Sequence, residues 1–436
     1  MASSPIYPEN TEERLIWYVL IGTYPLYAIG ALYIVGPVLA WVLVLRLGMR
    51  LWTQDPQAPS AARVRAAPAV WLWCAGMLLM LLALVVGHLT QDLGIAKLVK
   101  SSIGWAKGWA LLAVFPLAGC LRVRPELLYR GACVVCLHTL LLSPIFFGAW
   151  AIGLPETLWV SPLTIVGGPG PEFFSLSLYE IDPDRGTPRW RLFTPWAPAV
   201  GFIANVYFIF ALNERDRRWK AAGIAGSVLM VLMSQSRLAI VCMAFVPLAV
   251  WMLSKLHRPG VWMAAGVGTS VLGIVATSLF ALVEDVIDIF KSARGGSTRV
   301  RAALARIAVE RWQTEAPVWG HGVVERGPHL VEFMPIGSHH TWYGLLFVKG
   351  AVGFVALALP LAWSFLELLA KAQGSPLARA GLAMVLLLFL YAFGENLEIL
   401  AYLLWPALIL LGLSMNAQSQ ASPIEPRAHM KEVTQS

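Results

Sequence analysis

Charge is scarce in this chain. Of its 436 residues, 13% are charged, about half the share usual in a soluble domain. A surface so poor in charge cannot meet water on all sides, which excludes an ordinary soluble enzyme. Cysteine is scarce as well. The five residues, Cys74, Cys120, Cys133, Cys136 and Cys242, all fall in apolar stretches. Cys133 and Cys136 have the spacing of a redox or metal pair, but in an apolar helix two small hydrophobes are the simpler reading. Neither disulfides nor structural zinc are expected. Alternation of period two is missing, which argues against a β-barrel. A basic cleavable leader is missing too: the first fourteen residues carry Glu9, Glu12 and Glu13 against Arg14, so the first apolar segment is expected to be retained.

Apolar length is what the chain has in excess. Hydrophobic residues make up 58% of it. Stretches approaching the roughly 20 residues that cross a bilayer recur at 15–45, 69–87, 103–120, 131–152, 197–213, 221–235, 238–254, 261–283, 341–366, 380–394 and 397–414. The expectation is an all-α, polytopic transmembrane helical bundle of about 11–12 spans. The first stretch is long and interrupted by Pro25 and Pro37. The segments read as N-terminal membrane helices (1–152), a first long loop (153–196), central membrane helices (197–283), a second long loop (284–340), C-terminal membrane helices (341–414) and a tail (415–436). Short helices are expected in both loops.

Lysine and arginine in short connections set orientation. Arg46, Arg50, Arg63 and Arg65, then Arg122, Arg124 and Arg130, then Arg215, Arg217, Arg218 and Lys220, then Lys255 and Arg258, then Lys371 and Arg379 fall on alternate connections and share one side. That side reads as the cytoplasm, and the tail with Arg427 and Lys431 joins it. The two long loops then lie outside. They nevertheless carry Arg185, Arg189 and Arg191, and Lys291, Arg294, Arg299, Arg301, Arg306, Arg311 and Arg326. Arginine on the outer side serves no topological purpose, and an anionic ligand is the simplest reason for it. An amphipathic helix gripping lipid headgroups is the alternative.

Within 295–312, GGSTRVRAALARIAVERW, two glycines break the chain and Ser297 or Thr298 can cap a helix. Val300, Leu304 and Ile307 form one apolar stripe, Arg299 and Arg306 share another face, and Arg301 points away from them. Arg299 in a first turn would combine with free backbone amides to favour phosphate. Arg237, in MSQSRLAIVCMAF, stands between two apolar stretches with almost no loop. An arginine at a membrane face is a functional candidate unless it merely snorkels. His339 and His340 precede an apolar stretch, and a neutral imidazole can take a proton from a hydroxyl. On one helix the two rings would point about 100° apart. A metal site using His321, His329 and Glu332 matches no ligand spacing, so neither metal nor other cofactor is expected. Lys107, inside the third stretch, reads as a partner for Asp92 or Glu395.

These residues resemble a known family. GHG at 320–322, a polar loop, then His339, the nine residues TWYGLLFVK after His340, and the pair Gly350 and Gly353 resemble the signature of the bacterial O-antigen ligase and O-antigen polymerase superfamily. SQSR resembles its Ser-Arg motif at the outer end of a span. STRVR…APVWGHG resembles its arginine helix leading into a Pro-x-x-Gly-x-Gly turn, and RLFTPWAPAVGFIA (191–204) a further segment. The resemblance covers roughly residues 185–366. Where the family places Asn, Ser or Gln after the key histidine, this chain has His340.

The resemblance implies a metal-independent glycosyltransferase of the bacterial inner membrane with its active site facing the periplasm. Its donor would be a glycan on undecaprenyl pyrophosphate. The acceptor would be lipid A–core in the ligase branch, or a second carrier-linked glycan in the polymerase branch. Catalytic roles fall on His339, Arg237 and Arg299; pyrophosphate contacts fall on Arg301, Arg191, His340 and Arg306. Membrane lipids are expected partners and nucleic acid is not. A transporter of a lipid-linked anionic glycan is the competing reading. Transporters favour internal repeats and midplane sites, whereas here no repeat is seen and the charges gather at one face.

Overall fold

The computed structural model describes residues 6–55, 57, 63–182, 186–263, 266–270, 273, 295–331, 333–337 and 339–417. Helix makes up 71% and strand 4% of the described residues. Most of the expected span 261–283, together with Lys291, Arg294, Arg185, Glu332 and the tail bearing Arg427 and Lys431, lies outside the described residues.

The chain opens with α1 (Thr11–Ile21), α2 (Thr23–Ala28) and α3 (Leu32–Thr53), followed by α4 (Pro68–Thr90), α5 (Ile95–Lys107), α6 (Leu111–Ala118) and α7 (Pro125–Ala151). After the first long loop come α8 (Ala197–Asn213), α9 (Arg217–Ser234) and α10 (Arg237–Leu253). Then follow α11 (Gly295–Glu315), α12 (Thr341–Ala372), α13 (Pro376–Tyr391), α14 (Leu397–Leu400) and α15 (Trp405–Asn416). Among the described residues, α3, α4, α7 and α12 are long and apolar enough to cross a membrane. Their 22 to 32 residues make rods of roughly 33–48 Å against a hydrocarbon core of about 30 Å. The apolar helices α8, α10, α13 and α15 are shorter, at 12 to 17 residues.

Three expected spans are divided. The stretch 15–45 is broken at Gly22, which ends α1, and at Gly30, which takes φ +70°. Pro37, expected to interrupt it, sits inside α3. As the sixth residue of α3 it removes the N–H that would bond the Tyr33 carbonyl, a loss that apolar membrane helices tolerate. The stretch 103–120 divides into α5 and α6 at Gly108, and 397–414 into α14 and α15. The first loop holds strands as well as 3₁₀ turns: β1 (Thr157–Val160) pairs antiparallel with β2 (Ser175–Ser177), and β3 (Glu180–Ile181) with β4 (Pro188–Arg189). This loop is stitched to the helices. The Tyr27 hydroxyl donates to the Ser177 carbonyl at 2.8 Å and accepts from the Ser177 N–H at 2.7 Å. Phe173 and Phe174 meet the Tyr33 ring edge-on.

One continuous apolar core runs through the helices, with α4 packed along α12 and α8 along α9. Several arginines read as topological markers are held by carboxylates. Arg46 and Arg50 bond Glu12, and Arg124 bonds Glu13; both carboxylates are 1% exposed. Arg130 and Glu214 form a buried pair at 2.9 Å. A buried carboxylate needs such a partner, because an unpaired charge out of water is strongly destabilising.

Candidate functional site

The site is built around the start and the break of α12. His340 precedes its first turn, and its Nδ1 accepts the Tyr343 N–H at 3.4 Å. The Thr341 hydroxyl donates to the Glu395 carbonyl at 2.6 Å and accepts the Leu397 N–H at 3.0 Å. The Thr341 N–H reaches the Ala392 carbonyl at 2.9 Å. These bonds tie the beginning of α12 to the link between α13 and α14.

Nine residues further on, α12 breaks. Gly350 takes φ 63°, ψ −164°. A break in an apolar helix frees backbone groups that lipid cannot satisfy. The loop 317–322 supplies the partners. Ala351 N donates to the Pro317 carbonyl at 2.9 Å and Val352 N to Val318 at 3.2 Å, while His321 N donates to Phe347 at 2.9 Å and Gly322 N to Val348 at 3.0 Å. The approach is close enough that a Cβ on Gly350 would lie 2.3 Å from the Val318 carbonyl oxygen, and one on Gly320 would lie 2.5 Å from the Gly350 nitrogen. Both glycines have positive φ. The GHG turn and the Gly-x-x-Gly pair thus form one backbone-to-backbone seam. Gly350→Ala combines left-handed strain of about 1–2 kcal/mol with that clash. It is expected to lower the melting temperature of the detergent-solubilised protein by about 5 °C. Gly374→Ala, where a Cβ meets nothing within 4 Å, should leave it unchanged; equal melting of the two would remove the seam's stabilising role.

Side chains brace this loop. The Arg311 guanidinium bonds Glu315 at 2.8 Å and Glu325 at 2.6 Å, and its charge sits 5.1 Å from the Phe347 ring centroid. His321 lies between the Phe347 carbonyl (Nδ1, 2.9 Å) and Glu315 (Nε2, 2.7 Å), stacked on the Phe347 ring. The hydrogen bonds from Arg311 and then His321 hold the Glu315 carboxyl at about 2, far below the usual range. His321 therefore serves as a strut, bonded through both ring nitrogens.

The charge of Arg301 acts on both His339 and Glu395. Burial, and then the Arg301 charge beside it, pushes His339 down to about 4. Burial pushes His340 down to about 4 as well. Both imidazoles are uncharged at neutral pH. Burial pushes the Glu395 carboxyl up to about 7, against the opposing pull of the Trp196 indole, which donates to its Oε2 at 2.8 Å, and of Arg301. Trp196 stands immediately before α8. Arg237 is the first residue of α10, half-buried, behind the left-handed residue Gln235 and the cap Ser236, whose Oγ accepts the Ala239 N–H. Its neighbour Leu238 packs on Gly394. Arg237 is therefore set beside the same link that carries Glu395.

Several sequence-based expectations change. The two histidines both precede α12, so helical geometry does not set the angle between their rings. Their difference lies instead in bonding: His340 caps the helix and rests on Tyr343 at 4.0 Å between centroids, whereas His339 feels the Arg301 charge. Gly295 and Gly296 are already helical, so Ser297 and Thr298 do not start α11, and Arg299 is not in a turn of free amides. Val300 and Leu304 are buried against Val331, Ile336 and Phe347 with Ile307 partly covered, as the stripe predicts. That packing leaves Arg299 and Arg306 exposed. Arg301, two residues from Arg299 and so on the far side of the helix, is the one whose charge reaches the histidine. Arg191 is buried as a loop clamp, donating to the Pro195 carbonyl at 2.9 Å and the Ser175 hydroxyl at 2.7 Å. Lys107 donates to the Gly167 carbonyl at 3.1 Å, and not to Asp92 or Glu395.

Glu395 and Trp196 were not among the residues singled out for chemistry. The signal was present for Glu395: a carboxylate in the apolar run LYAFGENLEIL is a functional candidate by the rule that already selected Arg237. Trp196 carried none, since its role depends on a contact 199 residues away. No known family model matches this chain, and no curated protein matches it.

Proposed function

We propose that the protein is a glycosyltransferase of the bacterial inner membrane, acting at the periplasmic face. It moves a glycan from undecaprenyl pyrophosphate to a hydroxyl of lipid A–core. The observation that carries this reading is that His339 and the main chain of Glu395 meet the start of a broken apolar helix, where the Arg301 charge acts on both and Leu238, next to Arg237, packs on Gly394. The acceptor oxygen attacks the anomeric carbon of the donor sugar. The bond from that carbon to the pyrophosphate oxygen breaks, and the pyrophosphate leaves with the electron pair. Arg301 and Arg237 stabilise the charge that develops there. The acceptor's proton passes to His339, which is uncharged and can receive it. Ionised Glu395 faces Arg301 and acts as a positioning residue.

The direct test incubates purified protein with a polyprenyl-pyrophosphate-linked oligosaccharide and lipid A–core. Glycosylated lipid A–core and released polyprenyl pyrophosphate are expected in equal amounts. Release without a glycosylated acceptor, or transfer only to a second carrier-linked chain, would replace the ligase reading by hydrolysis or polymerisation. The orientation has its own test. Cysteine placed at Arg326, and separately at Arg218, both exposed, should respond oppositely to a membrane-impermeant thiol reagent in a cysteine-free background. Position 326 should label in intact cells and position 218 only after the inner membrane is opened. The reverse pattern ends the periplasmic assignment.

A further inference from the structure

The end of α12 remote from His340 borders a cavity of about 340 Å³, where α8 and α10 finish and α13 begins. Lys255, Arg258 and Arg379 stand around it, and among the described residues no carboxylate lines it. Other cations expected on that side are differently placed: Arg46 and Arg50 meet Glu12, Arg124 meets Glu13, Arg130 meets Glu214 and Lys371 meets Glu367. Among the described residues no ion pair engages the three cations of the cavity. Their surround is nevertheless built. The Gln373 amide donates to the Leu253 carbonyl at 2.9 Å and to the Leu369 carbonyl at 2.8 Å, and its oxygen meets His257 Nδ1 at 3.1 Å. Arg379 Nε donates to the Ala372 carbonyl at 2.9 Å, which fixes the guanidinium by one edge. Lys255 sits over the Trp251 ring, 3.6 Å from its centroid. Below this rim the lining turns apolar, through Val250 and Pro247 on α10 and Ala383 on α13. On the outside of α10, Val241, Phe245, Leu248 and Met252 form an exposed apolar stripe that ends one turn before Lys255.

We infer that this cavity holds the headgroup phosphate of an anionic phospholipid such as phosphatidylglycerol, with its acyl chains along the stripe of α10. The site stands apart from the function proposed above: it lies at the opposite end of α12 from His340 and takes no part in glycan transfer. Three like charges around one cavity repel each other, and a phosphodiester between them relieves that repulsion. Arg258 and Arg379 each offer planar N–H donors to its oxygens. A soluble phosphate would use the rim alone. A phospholipid also uses the apolar stripe directly beside it, and basic clefts between membrane helices on the positively charged side suit such headgroups. Trp251, 56% exposed beside Lys255, is the kind of amphipathic ring favoured at the level between headgroup and tail.

The test titrates full-length protein in a neutral detergent with three probes: dioleoyl phosphatidylglycerol, dioleoyl phosphatidylcholine and glycerophosphoglycerol, the headgroup without its chains. Binding is read as the rise in melting temperature, so no outcome depends on glycan transfer. The cavity variant is Lys255→Gln with Arg258→Gln. The control is Arg217→Gln with Arg218→Gln, which removes the same charge from exposed positions outside the cavity lining. Wild-type protein should bind phosphatidylglycerol at least tenfold more tightly than phosphatidylcholine, and at least a hundredfold more tightly than glycerophosphoglycerol. The cavity variant should lose tenfold or more for phosphatidylglycerol, the control less than about threefold, and without added lipid both should melt with the wild type. Equal loss in the two variants would mean attraction to general surface charge and would overturn the site. If glycerophosphoglycerol binds as tightly as phosphatidylglycerol and is lost in the cavity variant, the cavity takes a soluble phosphate and the lipid assignment is overturned. A second measurement needs no variant. Phosphatidylglycerol with a photoreactive headgroup should crosslink wild-type protein within residues 251–258 and 373–383; crosslinks confined to other segments would overturn the site even if the cavity variant fails to fold.

Discussion

Arg301→Ala should reduce glycan transfer by a factor on the order of 10³, the range seen when a preorganised donor to developing charge is removed. The protein should remain folded, because Arg301 is exposed and the packing of α11 rests on Val300, Leu304 and Ala308. Arg301→Lys should recover little, since a point charge does not reproduce the planar fork that meets two phosphate oxygens. Arg237→Ala should be comparably damaging. Arg299→Ala and Arg306→Ala are the informative contrast. Both arginines are exposed, and neither charge acts on His339 or Glu395. Each should lower transfer by less than about tenfold, through weaker attraction of an anionic donor that added salt screens. Transfer rates of the four alanine variants at low and moderate ionic strength decide the matter. Loss of activity in Arg299→Ala with full activity in Arg301→Ala would mean that α11 presents its opposite face to the donor.

His339→Ala should lose activity by a factor on the order of 100 or more, the lower part of the range for a general base. His340→Asn should keep most of it, because an asparagine side chain can also cap α12. The pH dependence separates His339 from Glu395. With burial and Arg301 holding His339 near 4, it stays unprotonated from pH 5 to 9 and produces no limb there. Glu395, raised by burial to about 7, is protonated below that value and ionised above it. The ionised form is the one whose charge attracts Arg301, so wild-type kcat should climb with pH through 7 and level off above it. His339→Ala should lower the whole profile without moving the limb. Glu395→Gln should flatten the profile at a reduced rate. A limb near 7 that survives in Glu395→Gln and vanishes in His339→Ala would exchange the two assignments.

The helical character of this chain, and the presence of helices long and apolar enough to cross a membrane, were legible without a structure, because lipid imposes its demand locally. A segment either has enough contiguous apolar length or it does not, as α4, α7 and α12 illustrate. The buried stripe Val300–Leu304 was legible for the same reason: periodicity along one helix is a property of neighbours in sequence. So were Arg237, Arg301 and the histidines as candidates, since a charge beside an apolar run stands out by itself. Which arginine meets which histidine was decided only by the tertiary structure. Packing of Val300 and Leu304 on Phe347 rotates α11 so that Arg301, and not Arg299, reaches His339. The breaks were also a tertiary matter. Pro37 leaves α3 intact, while Gly350 opens α12 because the distant loop 317–322 inserts its own backbone to satisfy the freed groups. Glu395 joins the site for a similar reason: Thr341 holds its main chain and Trp196 its carboxylate, through contacts 54 and 199 residues apart. No spacing pattern along the sequence encodes separations of that length, because they are fixed by the simultaneous packing of α8, α12 and α13.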